Sequence, residues 1–331
     1  MSTLSGKYTL LDVAKSLNPD GTTADVAELL SQDNEMLLDM PWYEGNLPTG
    51  HRITTRTGLP DVVFRKLNKG VPASRATTAQ IDEACGLLEA RSEIDVKLAN
   101  LNGNKASFRL SQAKAFLEAM NQRMQLTTLY GDTNTLPESF MGLGPRFGAI
   151  GSGGANKANI IDAGGTGSNN TSIWLVGWGE NTVHGIYPKG SVAGLNHQDL
   201  GEGDAFDELN NRYRAYMDLY TWDCGIALHD WRYVVRIANV DVTALTKNAS
   251  AGADLIDLMT QALEKIHSLS GVTPSFYVNR TIRSFLRRQT VNKVASGTLE
   301  YDNVAGVPAL RFGEVPVRRV DALSVGEARI V

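Results

Sequence analysis

The chain has 331 residues, a formal net charge of −4 at pH 7, 42% hydrophobic residues and 21% charged ones, with a mass of 35.9 kDa and a pI near 5.8. This is the balance of an ordinary water-soluble globular protein, and it excludes the global attraction to nucleic acid or anionic membrane that a strongly basic chain carries. The length suffices for substantial cores, in two domains or one large elaborated domain.

Cys85 and Cys224 are too few for a disulfide framework and form no C-x-x-C pair, so they read as buried thiols of a reducing compartment. No apolar stretch follows Met1 and no run of about 18 apolar residues occurs, which argues against secretion and against a spanning helix.

Charge is segregated in the first quarter. Over residues 1–50, Asp12, Asp20, Asp25, Glu28, Asp33, Glu35, Asp39 and Glu44 face only Lys7 and Lys15. The sign then reverses, with Arg52, Arg56, Arg65, Lys66, Lys69 and Arg75 facing only Asp61. The plain reading is two solvated surfaces. The sharper one is an acidic arm and a basic loop that meet opposite charges on neighbouring subunits and fix their register. Thr9 with Asp12 and Thr22 with Asp25 match capping boxes ahead of Val13, Leu17, Val26, Leu29 and Leu30, predicting short helices on a long arm. Pro41, Gly45, Pro48 and Gly50 break helix continuity. In residues 51–75 the run DVVFR at 61–65 lies between turn signals, which suits a projecting β-hairpin with a polar tip.

Residues 87–98 read as a strand and Asn102-Gly-Asn104 as a turn. Ala113, Phe116, Leu117, Met120 and Met124 then form an apolar stripe at helical spacing. This predicts a helix over 111–128, about 27 Å long, with Gly131 as its stop. The stretch from Gly142 to Asn170 is rich in glycine and asparagine but leads into a strand, TSIWLVGW at 171–178. A phosphate-cradling loop leads instead into a helix N-terminus, so the segment reads as a turn-rich excursion. Residues 173–176 and 182–187, separated by Gly177 and Gly179-Glu-Asn181, predict a hairpin or bulged strand pair. Gly201-Glu-Gly203 opens the approach to residues 210–241, whose aromatic and β-branched residues, often interrupted by polar ones, predict long half-exposed strands.

Leu255, Leu258, Met259, Ala262 and Ile266 mark an amphipathic helix, residues 275–278 a strand, and Asn279 the cap of a short helix through Leu286. That last helix carries Arg280, Arg283, Arg287 and Arg288, read as a solvated or intersubunit basic edge because no aromatic stacking positions accompany it. With a final strand near Val315 and Val320, this order implies a compact α/β region with a mixed sheet.

The search for catalytic chemistry is negative. His51, His184, His197, His229 and His267 show no metal-ligand spacing, and neighbours His229 and Asp230 would face opposite ways on a strand. No G-x-S-x-G or phosphate-loop motif occurs. No catalytic, cofactor-binding or metal-ligating set is assigned, and the chain is read as a non-enzyme. The alternative is a carbohydrate-binding or carbohydrate-processing protein, which requires Trp174, Trp178 or Trp222 exposed beside paired carboxylates.

Three segments carry a resemblance: WDCGIALHDWRYVVRIAN at 222–239, TPSFYVNR at 273–280 and FGEVPVRRVD at 312–321. Together they resemble the major capsid proteins of tailed bacteriophages with the HK97-type shell fold. The resemblance implies an α+β fold with an N-terminal arm at 1–50, a projecting E-loop at 51–75 and a peripheral domain with spine helix at 76–141. It places an axial domain at 142–209, peripheral long strands at 210–249, and a second axial part with the closing strand at 250–331. The implied function is self-assembly, through pentameric and hexameric capsomers, into an icosahedral shell around phage double-stranded DNA. No cofactor and no membrane are implied, and contact with DNA is nonspecific proximity. The implied partners are a portal, a possible decoration protein and, since the chain starts almost directly at its arm, a separate scaffolding protein. The implied location is the virion capsid, assembled in the bacterial host cytoplasm. Arg52, Arg56, Arg65, Lys66 and Lys69 are the candidate intersubunit contacts. Lys66 and Lys69 have the chemistry for an isopeptide crosslink to an asparagine, but noncovalent contacts are the expectation because no crosslinking motif is visible.

Overall fold

The computed structural model describes residues 31–331 except 101–104, 152, 153, 155, 208, 247–251, 293–298, 305 and 306. The two capping boxes of the arm and the turn at Asn102 lie outside the described residues.

The elements follow from local chemistry in chain order. A helical turn at Met36–Asp39 precedes β1 (Trp42–Glu44), then the paired strands β2 (Gly50–Gly58) and β3 (Thr77–Ala84), and β4 (Gly86–Asp95). β4 ends where the Asp95 carboxylate accepts a 2.7 Å bond from the Lys97 amide and caps a helical turn at Val96–Ala99. The long helix α1 (Lys105–Tyr130) follows, then a turn at Leu143–Arg146, β5 (Ile160–Asp162), β6 (Asn170–Trp178), β7 (Val183–Tyr187), β8 (Asn196–Phe206), β9 (Arg212–Leu228) and β10 (Val234–Asp241). The chain closes with α2 (Leu255–Lys265), β11 (Thr273–Val278), α3 (Arg280–Asn292), β12 (Leu299–Val304), β13 (Val307–Phe312) and β14 (Val315–Arg319). Asn279 caps α3 as expected, its side-chain oxygen accepting from the Ile282 amide at 2.8 Å. No described helix is long and apolar enough to cross a membrane.

Twelve strands join one mixed sheet in the order β12-β13-β14-β11-β6-β7-β9-β4, with β10 also on β6, β5 on β10, β8 on β9 and β1 on β7. β6 is buried along its whole length. Because side chains alternate across a strand, Ile173 and Leu175 enter one core with Val235, Phe276, Met259 and Leu286. Trp174, Val176 and Trp178 enter a second core with Met124, Leu129, Phe147 and Val320. Helices α2 and α3 thus cover one face of the sheet, and the C-terminal end of α1 covers the other. A strand covered on both faces needs the near-continuous apolar run that this segment has.

One buried ion pair crosses the second core. Arg236 of β10 donates to Glu327 at 2.8 Å, to Phe147 O at 2.9 Å and to Ser172 Oγ at 2.9 Å, with its guanidinium 5.0 Å from the Trp174 ring centroid. Glu327 also accepts bonds from Ser172 Oγ and, at 2.5 Å, from the hydroxyl of Tyr130, the last residue of α1. Burial, and then the charge of Glu327, push the Tyr130 hydroxyl well above its ordinary pKa.

Several expectations are corrected. The helix is longer than 111–128, because Lys105 lies 3.5 Å over the Tyr216 ring and Arg109 pairs with Asp218 at 2.7 Å; at 26 residues it spans about 39 Å. Its stripe is uneven, with Met120 and Met124 buried but Leu117 exposed. Residues 61–65 are not a strand. β6 and β7 make no hairpin; they run parallel and meet only at Trp178 and Val183, because the turn at 179–182 carries the chain forward to pair with β9. Gly201 sits inside β8, at a register shift with φ 72°. β10 is buried rather than half-exposed from Val234 to Val240, since its charged residue has Glu327 as partner.

Replacing Glu327 with alanine leaves the Arg236 charge buried without a carboxylate. The expected loss is about 3–5 kcal/mol of folding stability, measurable by urea denaturation of the full-length subunit. A loss below about 1 kcal/mol would show that the pair does not tie the fold together.

Candidate functional site

β2 and β3 form a two-stranded sheet of their own, in the register His51↔Glu83, Arg52↔Asp82 and Ile53↔Ile81. From its far end onward every residue from 59 to 78 is exposed. Pro60 and Pro72 lack the amide that a ladder needs, and Asn68 turns the chain with φ 59°. Within the loop, Arg65 Nε donates to Lys69 O at 3.2 Å and Ser74 Oγ to Asp61 O at 2.7 Å. Leu59, Val62, Phe64 and Leu67 are each at least 79% exposed, and Phe64 is fully so. A cluster of large apolar side chains on a projecting element is an exposed patch of the kind found at interaction sites.

The five candidate contacts divide by position. Arg52 is already held across the hairpin by Asp82, at 2.6 and 2.7 Å. That hydrogen-bonded pairing raises the guanidinium pKa and lowers the carboxylate's. Arg65 packs against its own loop. Arg56, Lys66 and Lys69 have no acidic partner among the described residues.

The base of the hairpin is fixed, in contrast to its tip. Ile53 is 2% exposed and packs against Ile186 and Ala227. Buried Glu83 accepts from Arg146 Nη2 at 2.7 Å, and Arg146 also donates to Gly142 O and Met141 O. Asn46 clasps the backbone of Arg52, accepting from its amide at 2.7 Å and donating to its carbonyl at 2.8 Å. A Cβ at Gly50 would fall 2.0 Å from Glu83 O, so only glycine fits where the strands first meet.

Three histidines converge beside this base. His51 is the second residue of β2, His184 lies in β7 and His229 follows β9; one nitrogen from each lies within 4.8 Å of the others. The ring centroids are 5.0 to 6.0 Å apart, and Tyr43 sets its edge on His184 at 4.9 Å. Burial pushes His184 down to about 4, helped by repulsion from His229 and His51, and lowers His229 in the same way. His184 Nδ1 and His229 Nε2 are buried with no hydrogen-bond partner. Sequence spacing gave no sign of this cluster, because its members come from two separate strands and the residue that follows a third.

Other expectations are redirected. Among the arm's acidic residues that are described, Glu35 and Asp39 pair with Arg318 at 3.4 and 3.1 Å, and Asp33 with Arg319 at 3.4 Å. Within the chain, these acids engage the closing strand. The carbohydrate reading loses its aromatic groove, since Trp174 and Trp178 are core residues and Trp222 packs at 6.0 Å on Trp42. Cys224 is buried and Cys85 partly so, both free thiols; burial pushes the Cys85 thiol up to about 11.

Known proteins align with this architecture. Residues 18–331 match the family model described as major capsid protein GP7. A chain in the near-atomic structure of bacteriophage Epsilon15 is 32% identical, with a TM-score of 0.77 over 100% of this chain and 99% of that one. The bacteriophage JBD30 capsid aligns over 94% and 98% of the two chains at 10% identity and a TM-score of 0.48. The SrpI encapsulin of Synechococcus elongatus aligns over 72% and 99% at 14% identity and a TM-score of 0.44. No curated protein matches.

Replacing Glu83 with alanine strands Arg146 at the hairpin base and is expected to cost about 3 kcal/mol or more in denaturation of the full-length subunit. Replacing Arg52, whose pair with Asp82 is solvent-facing, is expected to leave the midpoint nearly unchanged. Equal losses for the two variants would refute the fixed-base description.

Proposed function

This chain belongs to the GP7 family of major capsid proteins, and on that footing we propose that its exposed hairpin is the loop with which each subunit clasps a neighbour in the shell. The protein builds the shell of a bacteriophage virion, with the α+β HK97-type fold. The observation that carries the clasping role is the apolar loop between Leu59 and Val71, which no core among the described residues receives.

Magnitudes rank its contacts. Fully burying a side chain such as Phe64 or Leu67 stabilises by about 1.5–3 kcal/mol, whereas an exposed ion pair contributes about 0–1 kcal/mol. The apolar residues therefore supply the affinity. Arg56, Arg65, Lys66 and Lys69 set register by meeting acidic groups, and Arg52 stiffens the stalk through Asp82. In this reading residues 1–50 are the arm and 51–75 the E-loop, whose paired stalk extends to Ala84. Residues 76–141 with 210–249 form the peripheral part around α1. Residues 142–209 with 250–331 form the axial part. Pentameric and hexameric capsomers, a separate scaffolding protein, a portal, a possible decoration protein, assembly in the host cytoplasm and nonspecific proximity to packaged double-stranded DNA complete the proposal. The net charge of −4 suits weak DNA contact without base reading.

Two variants test the clasp: Arg65→Glu, Lys66→Glu and Lys69→Glu combined, and Phe64→Ser alone. Shell yield, counted by electron microscopy, is expected to fall in both while the melting temperature of the unassembled subunit stays at the unmodified value. The apolar variant is expected to lose more. Normal shell yield in both variants would remove the loop from the interface.

A further inference from the structure

We propose that His51, His184 and His229 form a binding site for one divalent transition-metal ion, Zn2+ foremost, which staples the base of the projecting hairpin to the main sheet. The site stands apart from the shell-clasping role, and its test does not depend on assembly.

Geometry comes first. Three imidazole nitrogens lie within 4.8 Å of one another. A tetrahedral ion at about 2.0–2.1 Å from each holds them roughly 3.3 Å apart, so the rings must close by no more than about 1.5 Å. Buried His184 Nδ1 and His229 Nε2 lack any partner, and a buried polar atom left unbonded calls for a cause. A shared ion satisfies both at once. His184 is already placed for it: the backbone of Gly179 and Glu180 lies beside its ring and favours its N–H, the kind of neighbour that orients a ligating histidine. His51 is the ring that adjusts. Its Nδ1 takes a long 3.3 Å bond from the Asn46 amide, which is given up when that nitrogen turns to the ion.

Donor chemistry then selects the ion. Three imidazoles suit Zn2+, Co2+, Ni2+ or Cu2+, whereas Mg2+ and Ca2+ require oxygen ligands. Glu83, the carboxylate paired across the hairpin with His51, is already taken by Arg146. Three ligands leave one position for water. The three residues sit on β2, on β7 and just after β9, so one ion joins the hairpin to two strands of the main sheet.

The test uses the full-length protein stripped with EDTA, dialysed and titrated with Co2+. Binding of one Co2+ per chain is expected, with the intense visible absorption of a four-coordinate site, displaced by Zn2+ and unaffected by Mg2+. Zn2+ at a hundredfold excess over its Kd is expected to raise the melting temperature by about 4 °C. His51→Gln and His229→Gln are each expected to weaken binding at least tenfold, since even the outer partners of a ligand are worth about 10–100-fold. His267→Gln, which removes a histidine outside the cluster, should bind as the unmodified chain does. Less than one ion per chain in the unmodified protein overturns the site, whatever the variants do. So does affinity unchanged in His51→Gln and His229→Gln, which would mark the bound ion as adventitious.

Discussion

The buried pair of Arg236 and Glu327 is the constraint around which the rest of the chain is arranged. Taking two charges out of water costs several kcal/mol per ion unless their hydrogen-bonding capacity is filled. Here Arg236 gives to Ser172, Phe147 and Glu327, and Glu327 takes from Arg236, Ser172 and Tyr130. Those partners belong to β10, β6, the segment after α1, the end of α1 and the C-terminal segment. All five must be in place at once, so the pair contributes uniqueness of arrangement more than net stability. Asn239 repeats the device three residues on. With φ 57° at the bulge in β10, it exchanges hydrogen bonds with the Ile330 backbone and fastens the C-terminal segment a second time.

Around this node β6 divides the apolar material into two cores, and neither reaches the β2–β3 hairpin. The hairpin has a small base of its own, with Ile53 under Ile186 and Glu83 on Arg146. A sheet-centred body with a separately footed appendage follows. Motion of the tip need not disturb either core, because no core residue lies beyond the foot.

What was legible in the sequence was local. The strand at 171–178, the helix from Leu255 and the Asn279 cap all rest on side-chain periodicity or on a cap three residues away, and the structure has them. The three segments that carried the family resemblance fall on β9 and β10, on β11, and on β14 with its flanks; β10 and β11 both pair β6, and β14 pairs β11. Misreadings arose where a distant partner changed a residue's meaning. Arg236 made β10 look half-exposed because its carboxylate is 91 residues away. Lys105 and Arg109 hid the start of α1 because their partners, Tyr216 and Asp218, lie in β9. The histidine cluster is the extreme case, assembled only once three strands have found their places.

Pro60 and Pro72 have a consequence for the unassembled chain. A subunit free in solution carries bare Leu59, Val62, Phe64 and Leu67, the composition that seeds fibrous aggregation when it lies along a straight, unpaired strand. The prolines interrupt that geometry at either end of the cluster, because each withholds an amide from any ladder a second chain might extend. Strand pairing with a second chain is thereby confined to the short stretch between them, which leaves less edge for a growing ladder to copy.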